Sequence, residues 1–290
     1  MSAQNTGQRY PFIDLLKVIL TVGIVLRHAT LAGVAGRSRA FDLFSLGVES
    51  VTEVCVPLFF ILSGFLYFRN VPARPGAGYF WDKTRRRVTS LLVPYLIANV
   101  VAFVLYWLAH RFAPGMLSGF LGDDWRNPLF IFVTGPVNLS LWFIRDLIIA
   151  CLLAPLFYLF VRYTRIWGII ALGVVWFAVD SSPLYNFWFA IGAWAAVCQG
   201  ERTGRFLDSV RCKVPLDAAA WCFFIYLYHY IPAISFKKLL VAAVEPQSFF
   251  ALAGTYLATA LLTLGLVTGV YWLLKKTAPR LTGVLVGGKI

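Results

Sequence analysis

The sequence predicts an all-α protein, a polytopic transmembrane helical bundle, and three observations carry this prediction. First, 60% of the 290 residues are hydrophobic and only 13% are charged, whereas about a quarter of the residues in a soluble domain are charged. Second, apolar runs close to the ~20 residues that cross a bilayer recur along the whole chain. Third, lysine and arginine concentrate in alternate connections between these runs. A single integral membrane domain over residues 1–290 is therefore expected.

Eight apolar runs are interpreted as membrane spans, within a range of eight to ten. The runs cover residues 12–33, 48–69, 88–109, 139–161, 166–180, 184–199, 216–234 and 249–274. If the N-terminus is cytoplasmic, most of the 26 lysine and arginine residues fall in cytoplasmic connections, as the positive-inside rule requires. An even number of spans then puts both termini in the cytoplasm.

The net charge of +13 is accordingly interpreted as a signal of topology. It adds a weak attraction to anionic membrane lipid, and nucleic acid is not expected as a partner. The five cysteines form no CxxC pair, so the sequence predicts neither a metal site nor a disulfide framework.

The first run carries polar side chains along one helical face. The 11 steps from Lys17 to His28 amount to three turns plus about 20°, and they separate the two residues by ~16 Å. Asp14 and Thr21 flank the same stripe. Ionisable residues inside a span are costly, so each is a functional candidate by default. The alternatives are that Lys17 snorkels to the inner headgroups and that His28 caps a carbonyl group.

The second run offers two further candidates. Ser63 and Gly64 form a small, polar surface that suits close approach of another helix or of an acyl chain. Glu49 and Glu53 lie one turn apart near the outer end, and by depth Glu53 can meet His28 and raise its basicity. The alternative is that both glutamates face the outer water.

A run of three arginines stands at the start of the third span. Arg85, Arg86 and Arg87 suit phosphate groups, because a guanidinium group can donate to two oxygens at once. The alternative is an ordinary basic boundary of a membrane span.

Further polar residues lie near the outer ends of later spans. Trp142, Arg145 and Asp146 begin the fourth span, and the two charged residues cannot both face lipid cheaply. A structural ion pair with a neighbouring span and contact with a substrate are both compatible with this position. His229, between tyrosines near the end of the seventh span, is either a substrate contact or part of an interfacial tyrosine belt.

Five segments in this order resemble the bacterial acyltransferase family 3, the integral membrane O-acyltransferases. IDLLKVILTVGIVLRH resembles the family's motif of a basic residue, ten residues and a histidine in the first span. The other four are VPLFFILSGFL, RRRVTSLLVPYL, LWFIRDL and FIYLYHY. Each motif is weak alone, and their common order makes the resemblance fairly specific.

The resemblance implies transfer of an acyl group, usually acetyl, from cytosolic acyl-CoA to a hydroxyl of a cell-surface or lipid-linked saccharide. It also implies a multi-pass protein of the bacterial cytoplasmic (inner) membrane. His28 matches the catalytic histidine, and Lys17 matches its basic partner, where arginine is commoner. Arg85, Arg86 and Arg87 match a basic entrance that would help to hold the CoA phosphates.

The sequence thus predicts a membrane O-acyltransferase that uses acetyl-CoA and no metal. The predicted site comprises His28, Lys17 and Glu53 for catalysis, Arg85, Arg86, Arg87 and Ser63 for the donor, and Trp142, Arg145, Asp146 and His229 for the saccharide or glycolipid acceptor. Two alternatives stay open. A transporter or flippase of a lipid-linked or small polar solute would use the same buried charges as a binding path, and an inactive scaffold would consume no thioester.

Overall fold

The computed structural model describes residues 9–31, 34, 38–72, 74–112, 135–178 and 186–288. The helices, numbered in chain order, are α1 Pro11–Ala29, α2 Arg39–Glu53, α3 Cys55–Phe68, α4 Ala77–Phe112, α5 Trp142–Leu152, α6 Ala154–Ala178, α7 Asn186–Val197, α8 Gly200–Ser209, α9 Ala218–Tyr228, α10 Tyr230–Val244, α11 Phe249–Thr277 and α12 Pro279–Leu285. A 3-10 turn, Leu139–Leu141, precedes α5. These ranges contain no strand, which confirms the predicted all-α class.

The number of clear membrane spans is lower than predicted. Within the described ranges, the segments long and apolar enough to cross a membrane are Arg39–Phe68, Gly78–Phe112, Ala154–Ala178 and Phe249–Thr277. The pair α9 and α10, bent by 58°, adds a fifth if it counts as one span. The protein is a multi-pass helical membrane protein with four to five such spans, where the sequence predicted eight.

Charge and helix length explain the difference. α1 has 19 residues, but Asp14, Lys17 and Arg27 reduce its apolar character. α5 and α7 have only 11 and 12 residues. A 12-residue helix covers roughly 18 Å, which is less than the hydrocarbon thickness of about 30 Å.

Breaks in the helices occur beside prolines or at a strained residue. One residue, Val54, separates α2 from α3, and Pro57 in the first turn of α3 has no N–H for the carbonyl of Glu53. α9 ends at Tyr228. The carbonyl of Tyr228 has no helical donor, because the residue four positions later is Pro232, which has no N–H. α6 changes direction at Arg165, where φ is 51°, close to the predicted boundary between the fourth and fifth spans.

α1 lies at the centre of the helical packing. It contacts α2, α3, α9, α10 and α11. Its residues Ile13, Leu20 and Ile24 belong to a core formed with α3, α5, α6 and α7. Val25 and Ala29 belong to a second core formed with α9 and α11. The polar stripe of α1 is therefore inside the molecule rather than on its surface.

The tightest helix pair is α3 with α7, and two glycines permit it. A Cβ atom on Gly64 would overlap the carbonyl oxygen of Phe189, and one on Gly192 would overlap the carbonyl oxygen of Ile61. Small residues allow two helix backbones to approach closely inside a membrane. The small surface predicted around Gly64 therefore receives another helix.

Candidate functional site

Asp14 organises the charged end of α1. Its Oδ2 accepts a hydrogen bond from Arg9 Nε at 2.7 Å, and its Oδ1 accepts one from Lys17 Nζ at 3.0 Å. Arg9 also donates to the backbone oxygens of Val214 and Pro215. Buried charges are tolerated when they are paired and hydrogen-bonded, so Asp14 accounts for the presence of Lys17 inside the bundle. Together these contacts fix the direction of the Lys17 side chain.

Lys17, Ser63 and Arg87 line one interior cavity of about 240 Å³. The cavity lies between α1, α3, α4, α5 and α9, and most of its remaining wall is apolar. Tyr226 of α9 belongs to the same wall. Three polar residues predicted from separate segments of the sequence thus meet at one site, with two cations and one hydroxyl around an apolar interior.

The structure separates the three arginines of α4. Arg87 faces the interior cavity, whereas Arg85 and Arg86 line a different cleft, formed with α12. Consecutive residues of a helix point about 100° apart, so three in a row cannot share one small site. Only Arg87 is positioned beside Lys17 and Ser63.

Lys83 is a basic residue near this cavity that the sequence analysis did not select. It lies one turn before Arg87, and its Nζ donates to the hydroxyl of Tyr79 at 2.9 Å. The same ammonium group lies 5.2 Å from the ring centroids of both Tyr67 and Tyr79. The four-residue spacing to Arg87 is the signal that would have revealed it, since residues four apart share a helical face.

His28 and His229 form a pair at the other end of α1. Their ring centroids are 5.2 Å apart, and the edge-on ring of Tyr230 lies 5.1 Å from His28. His229 is fully buried, with Nδ1 at 3.0 Å from the carbonyl oxygen of Ile225 and 2.9 Å from that of Tyr226. Two carbonyl acceptors at Nδ1 assign the proton to that nitrogen. His229 Nε2 then carries the lone pair and has no hydrogen-bond partner within the described ranges.

Tyr226 connects the cavity with the histidine pair. Its side chain lines the cavity, and its backbone oxygen accepts the His229 hydrogen bond. The Tyr226 hydroxyl donates to the carbonyl oxygen of Ser140 in the 3-10 turn. The two polar regions of the site therefore share a residue, although ~16 Å separates Lys17 from His28 along α1.

The carboxylate that contacts the C-terminal part of α1 is that of Glu49. Its Oε2 lies 3.6 Å from Arg27 Nη1, and its Oε1 accepts a hydrogen bond from Ser45. The side chain of Glu53, at the end of α2, is exposed. The structure therefore brings Glu49 to Arg27. Among the described residues, no hydrogen bond or ion pair joins Glu53 to His28, so their predicted contact stays a prediction.

Arg145 and Asp146 pair with each other, at 2.8 Å between Arg145 Nε and Asp146 Oδ1. Trp142 is half-buried at the start of α5. This ion pair joins neighbours in sequence on one helix, whereas the sequence analysis considered an ion pair with a neighbouring span, and both alternatives stay predictions. Both side chains stay partly exposed, at 27% and 17%, so the pair remains accessible from one side.

Asn138 is a second residue that the sequence analysis did not single out. It is buried, its Nδ2 donates to the carbonyl oxygen of Leu227 at 3.1 Å, and its Oδ1 accepts from Ser140. Its backbone N–H approaches the side chain of Asn99. The network ties α4, the 3-10 turn and α9 together beside Tyr226. Asparagine within an apolar context was the available signal, because buried amides require partners.

These features define a class of protein, a helical membrane protein with a cation-lined interior cavity and a histidine pair, in which His28 lies on the central helix α1 and the buried His229 lies at the bend between α9 and α10. Among the described residues, no group of three or more His, Cys, Asp or Glu side chains is arranged to hold a metal ion. A family model described as an acyltransferase domain, that of acyltransferase family 3, matches residues 10–197. The chain belongs to this family, whose class is the membrane acyltransferases.

A curated relative is the succinoglycan biosynthesis protein ExoH of Rhizobium meliloti (strain 1021), which is 32% identical over 169 residues. The alignment covers 53% of this chain and 44% of the relative, so the chain spans less than half the length of the curated relative that it matches. No solved structure matches the chain. The family match contains Lys17, His28, Ser63 and Arg87, whereas His229 lies beyond it.

Proposed function

We propose that this protein is an O-acyltransferase of the bacterial cytoplasmic membrane that moves an acetyl group from acetyl-CoA to a hydroxyl of a cell-surface or lipid-linked saccharide. Family membership supports acyl transfer. The name of the relative, a succinoglycan biosynthesis protein, supports a saccharide acceptor. The observation that carries the proposal is the cavity in which Lys17, Arg87 and Ser63 meet.

The cavity suits the slender arm of acyl-CoA. Its volume of about 240 Å³ is below the roughly 300–1,000 Å³ of sites that enclose a whole drug-sized ligand. The apolar wall matches the acyl and thioester end, and the two cations match the phosphate end. In this proposal Arg87 and Lys17 attract the phosphates, Ser63 contacts the arm, and the nucleotide stays outside the cavity.

His28 is the proposed general base. Its imidazole takes the proton of the acceptor hydroxyl while the hydroxyl oxygen attacks the thioester carbonyl carbon. The carbon–sulfur bond then breaks, and the CoA thiolate receives the proton from the imidazolium, which restores neutral His28. An imidazole is suited to both transfers near neutral pH. The products are the acetyl ester and free CoA thiol.

His229 is the proposed partner of His28. Its Nδ1–H is held by two backbone carbonyls, so its Nε2 lone pair is available inside the bundle. A buried acceptor without a partner is costly, and a hydroxyl group of the acceptor or the N–H of His28 would satisfy it. The ion pair of Arg145 and Asp146, together with Trp142, is proposed to contact the acceptor. For Glu53, the catalytic role beside His28 remains a prediction from the sequence.

The test compares the surface saccharides of cells with and without the gene by mass spectrometry. We expect loss of the mass increment of one acetyl group without the gene, and its return with the wild type or with His110→Gln. His110 is an exposed histidine at the end of α4 and serves as the matched control. His28→Gln should not restore the acetyl group.

Two outcomes would contradict the proposal. If deletion of the gene lowers the amount of saccharide at the surface while the acetylation of each remaining unit is unchanged, the protein transports the saccharide. If His28→Gln restores acetylation as fully as His110→Gln does, His28 is not the base.

A further inference from the structure

A cleft of about 800 Å³ lies between α4 and the short C-terminal helix α12. Arg85 and Arg86 line it from α4, and Arg280 lines it from α12. All three side chains are exposed. The cleft shares no lining residue with the cavity of Lys17 and Arg87, so it is a separate site and does not rest on the proposed acyl transfer.

The cleft is held in shape by the way in which α12 folds back on α4. Leu285 and Val286 are buried in the core formed with α11. Gly287, with φ of 65°, approaches the carbonyl of Ser90 so closely that a Cβ atom would overlap its oxygen. That carbonyl lacks its usual helical donor because residue 94 is a proline. The position of Arg280 relative to α4 is thus fixed by buried contacts.

The charge of the cleft suits an anion. The lining of the cleft contains three guanidinium groups and one carboxylate, that of Asp82. The hydroxyls of Thr89 and Ser90 also line the cleft, but their protons are donated to backbone oxygens of α4. The arginines therefore provide the donors, in the planar form that matches phosphate oxygens.

Apolar side chains lie beside the charged groups of the cleft, and this favours a lipid over a free phosphate. Val93 and Val284 line it, and both are exposed, as are the nearby Trp81 and Leu281. The predicted topology puts this end of α4 at the cytoplasmic boundary of the membrane. Basic pockets at that boundary are suited to anionic headgroups. We propose that the cleft between α4 and α12 binds the phosphodiester headgroup of an anionic phospholipid.

The test is native mass spectrometry of the full chain in detergent, titrated with phosphatidylglycerol and, separately, with phosphatidylcholine. We expect tighter binding of phosphatidylglycerol, weakened about fivefold in Arg280→Gln, the change expected when one arginine near anionic lipid is lost. Arg85→Gln, on the α4 side of the cleft, should weaken binding to a similar degree. The test therefore still has an interpretable variant if one of the two fails to fold. Lys276→Gln, an exposed residue outside the cleft, should bind as the wild type does.

A second arm distinguishes the lipid from the phosphates of CoA. Excess CoA should leave phosphatidylglycerol bound, because the two sites have no residue in common. Displacement by CoA would make the cleft a nucleotide site and overturn the proposal. Unchanged affinity in both arginine variants would overturn it as well, and so would an equal loss in Lys276→Gln, since binding would then follow net charge alone.

Discussion

Lys17 is stable inside the bundle because Asp14 is buried beside it and is shared with Arg9. Lys17 and Arg87 together make the cavity that they line positively charged. At the far end of α1, His28 lies beside His229. In the proposed function, the charged end of α1 recognises the donor and the histidine pair transfers the proton.

Removing the Arg87 charge should weaken donor binding. In Arg87→Gln we expect the KM for acetyl-CoA to rise about tenfold or more, because a hydrogen bond to a charged group contributes roughly 1.5–3 kcal/mol. Steady-state kinetics of the reconstituted protein measure this change. Arg74→Gln is the control, since Arg74 is exposed in the connection between α3 and α4. Equal KM values in the two variants would remove Arg87 from the donor site.

Spacing and polarity within apolar segments were sufficient to select Lys17, His28 and Ser63 from the sequence, and Arg87 was selected as one of three consecutive arginines. The sequence did not distinguish Arg87 from its two neighbours, since that choice depends on how α4 is rotated in the bundle. The pairing of His28 with a residue 201 positions later, His229, depends on tertiary packing of α1 against the bend between α9 and α10. Such long-range pairs have no local signal.

At the scale of elements, the contact between α3 and α7 holds the wall that carries Ser63. Gly64 follows Ser63 directly, and its lack of a side chain lets α3 approach the backbone of α7 at Phe189. A methyl group at this position must push the helices apart. The geometry of the cavity therefore depends on a glycine that has no chemical role.

Gly64→Ala should destabilise the fold by about 1–3 kcal/mol, the typical cost of overpacking. The measurement is thermal unfolding of the detergent-solubilised protein, followed by the loss of monodisperse protein in size-exclusion chromatography. Gly254→Ala in α11 is the control, because a Cβ atom there meets nothing within 4 Å. An unchanged unfolding temperature in Gly64→Ala would show that α3 and α7 can separate without cost.

Element boundaries were less predictable than element type. Apolar runs indicate helices, but they do not reveal that α2 begins at Arg39 or that α10 continues to Val244. α2 is amphipathic, and both α2 and α10 pack against α1 and α11. Hydropathy measures lipid exposure and therefore misses helical turns that face protein.

At the level of the whole molecule, the proposed function requires a defined orientation in the membrane. The charged end of α1 and the connection between α3 and α4 are predicted to face the cytoplasm, and the connection between α10 and α11 is predicted to face the outer side. Because the proposed donor is cytosolic, the proposal requires the cavity of Lys17 to open towards the cytoplasm. It also requires the acceptor to reach the histidine pair from outside.

Cysteine labelling tests this orientation. In a variant without the five native cysteines, we expect Gln247→Cys to react with a membrane-impermeant maleimide in intact cells. Arg74→Cys should react only after the cells are permeabilised. Both positions are exposed in the structure. Labelling in the reverse pattern would show that the topology is inverted, with the cavity opening on the side of the membrane away from the proposed donor.

The measurement that tests the central claim most directly is release of CoA thiol from acetyl-CoA by the purified protein in proteoliposomes that contain a saccharide extract. We predict that His28→Gln still binds acetyl-CoA but releases thiol at least about a hundredfold more slowly than the wild type, the usual range for loss of a general base. His110→Gln should match the wild type. Release by His28→Gln at the wild-type rate would contradict the assignment of bond formation to His28.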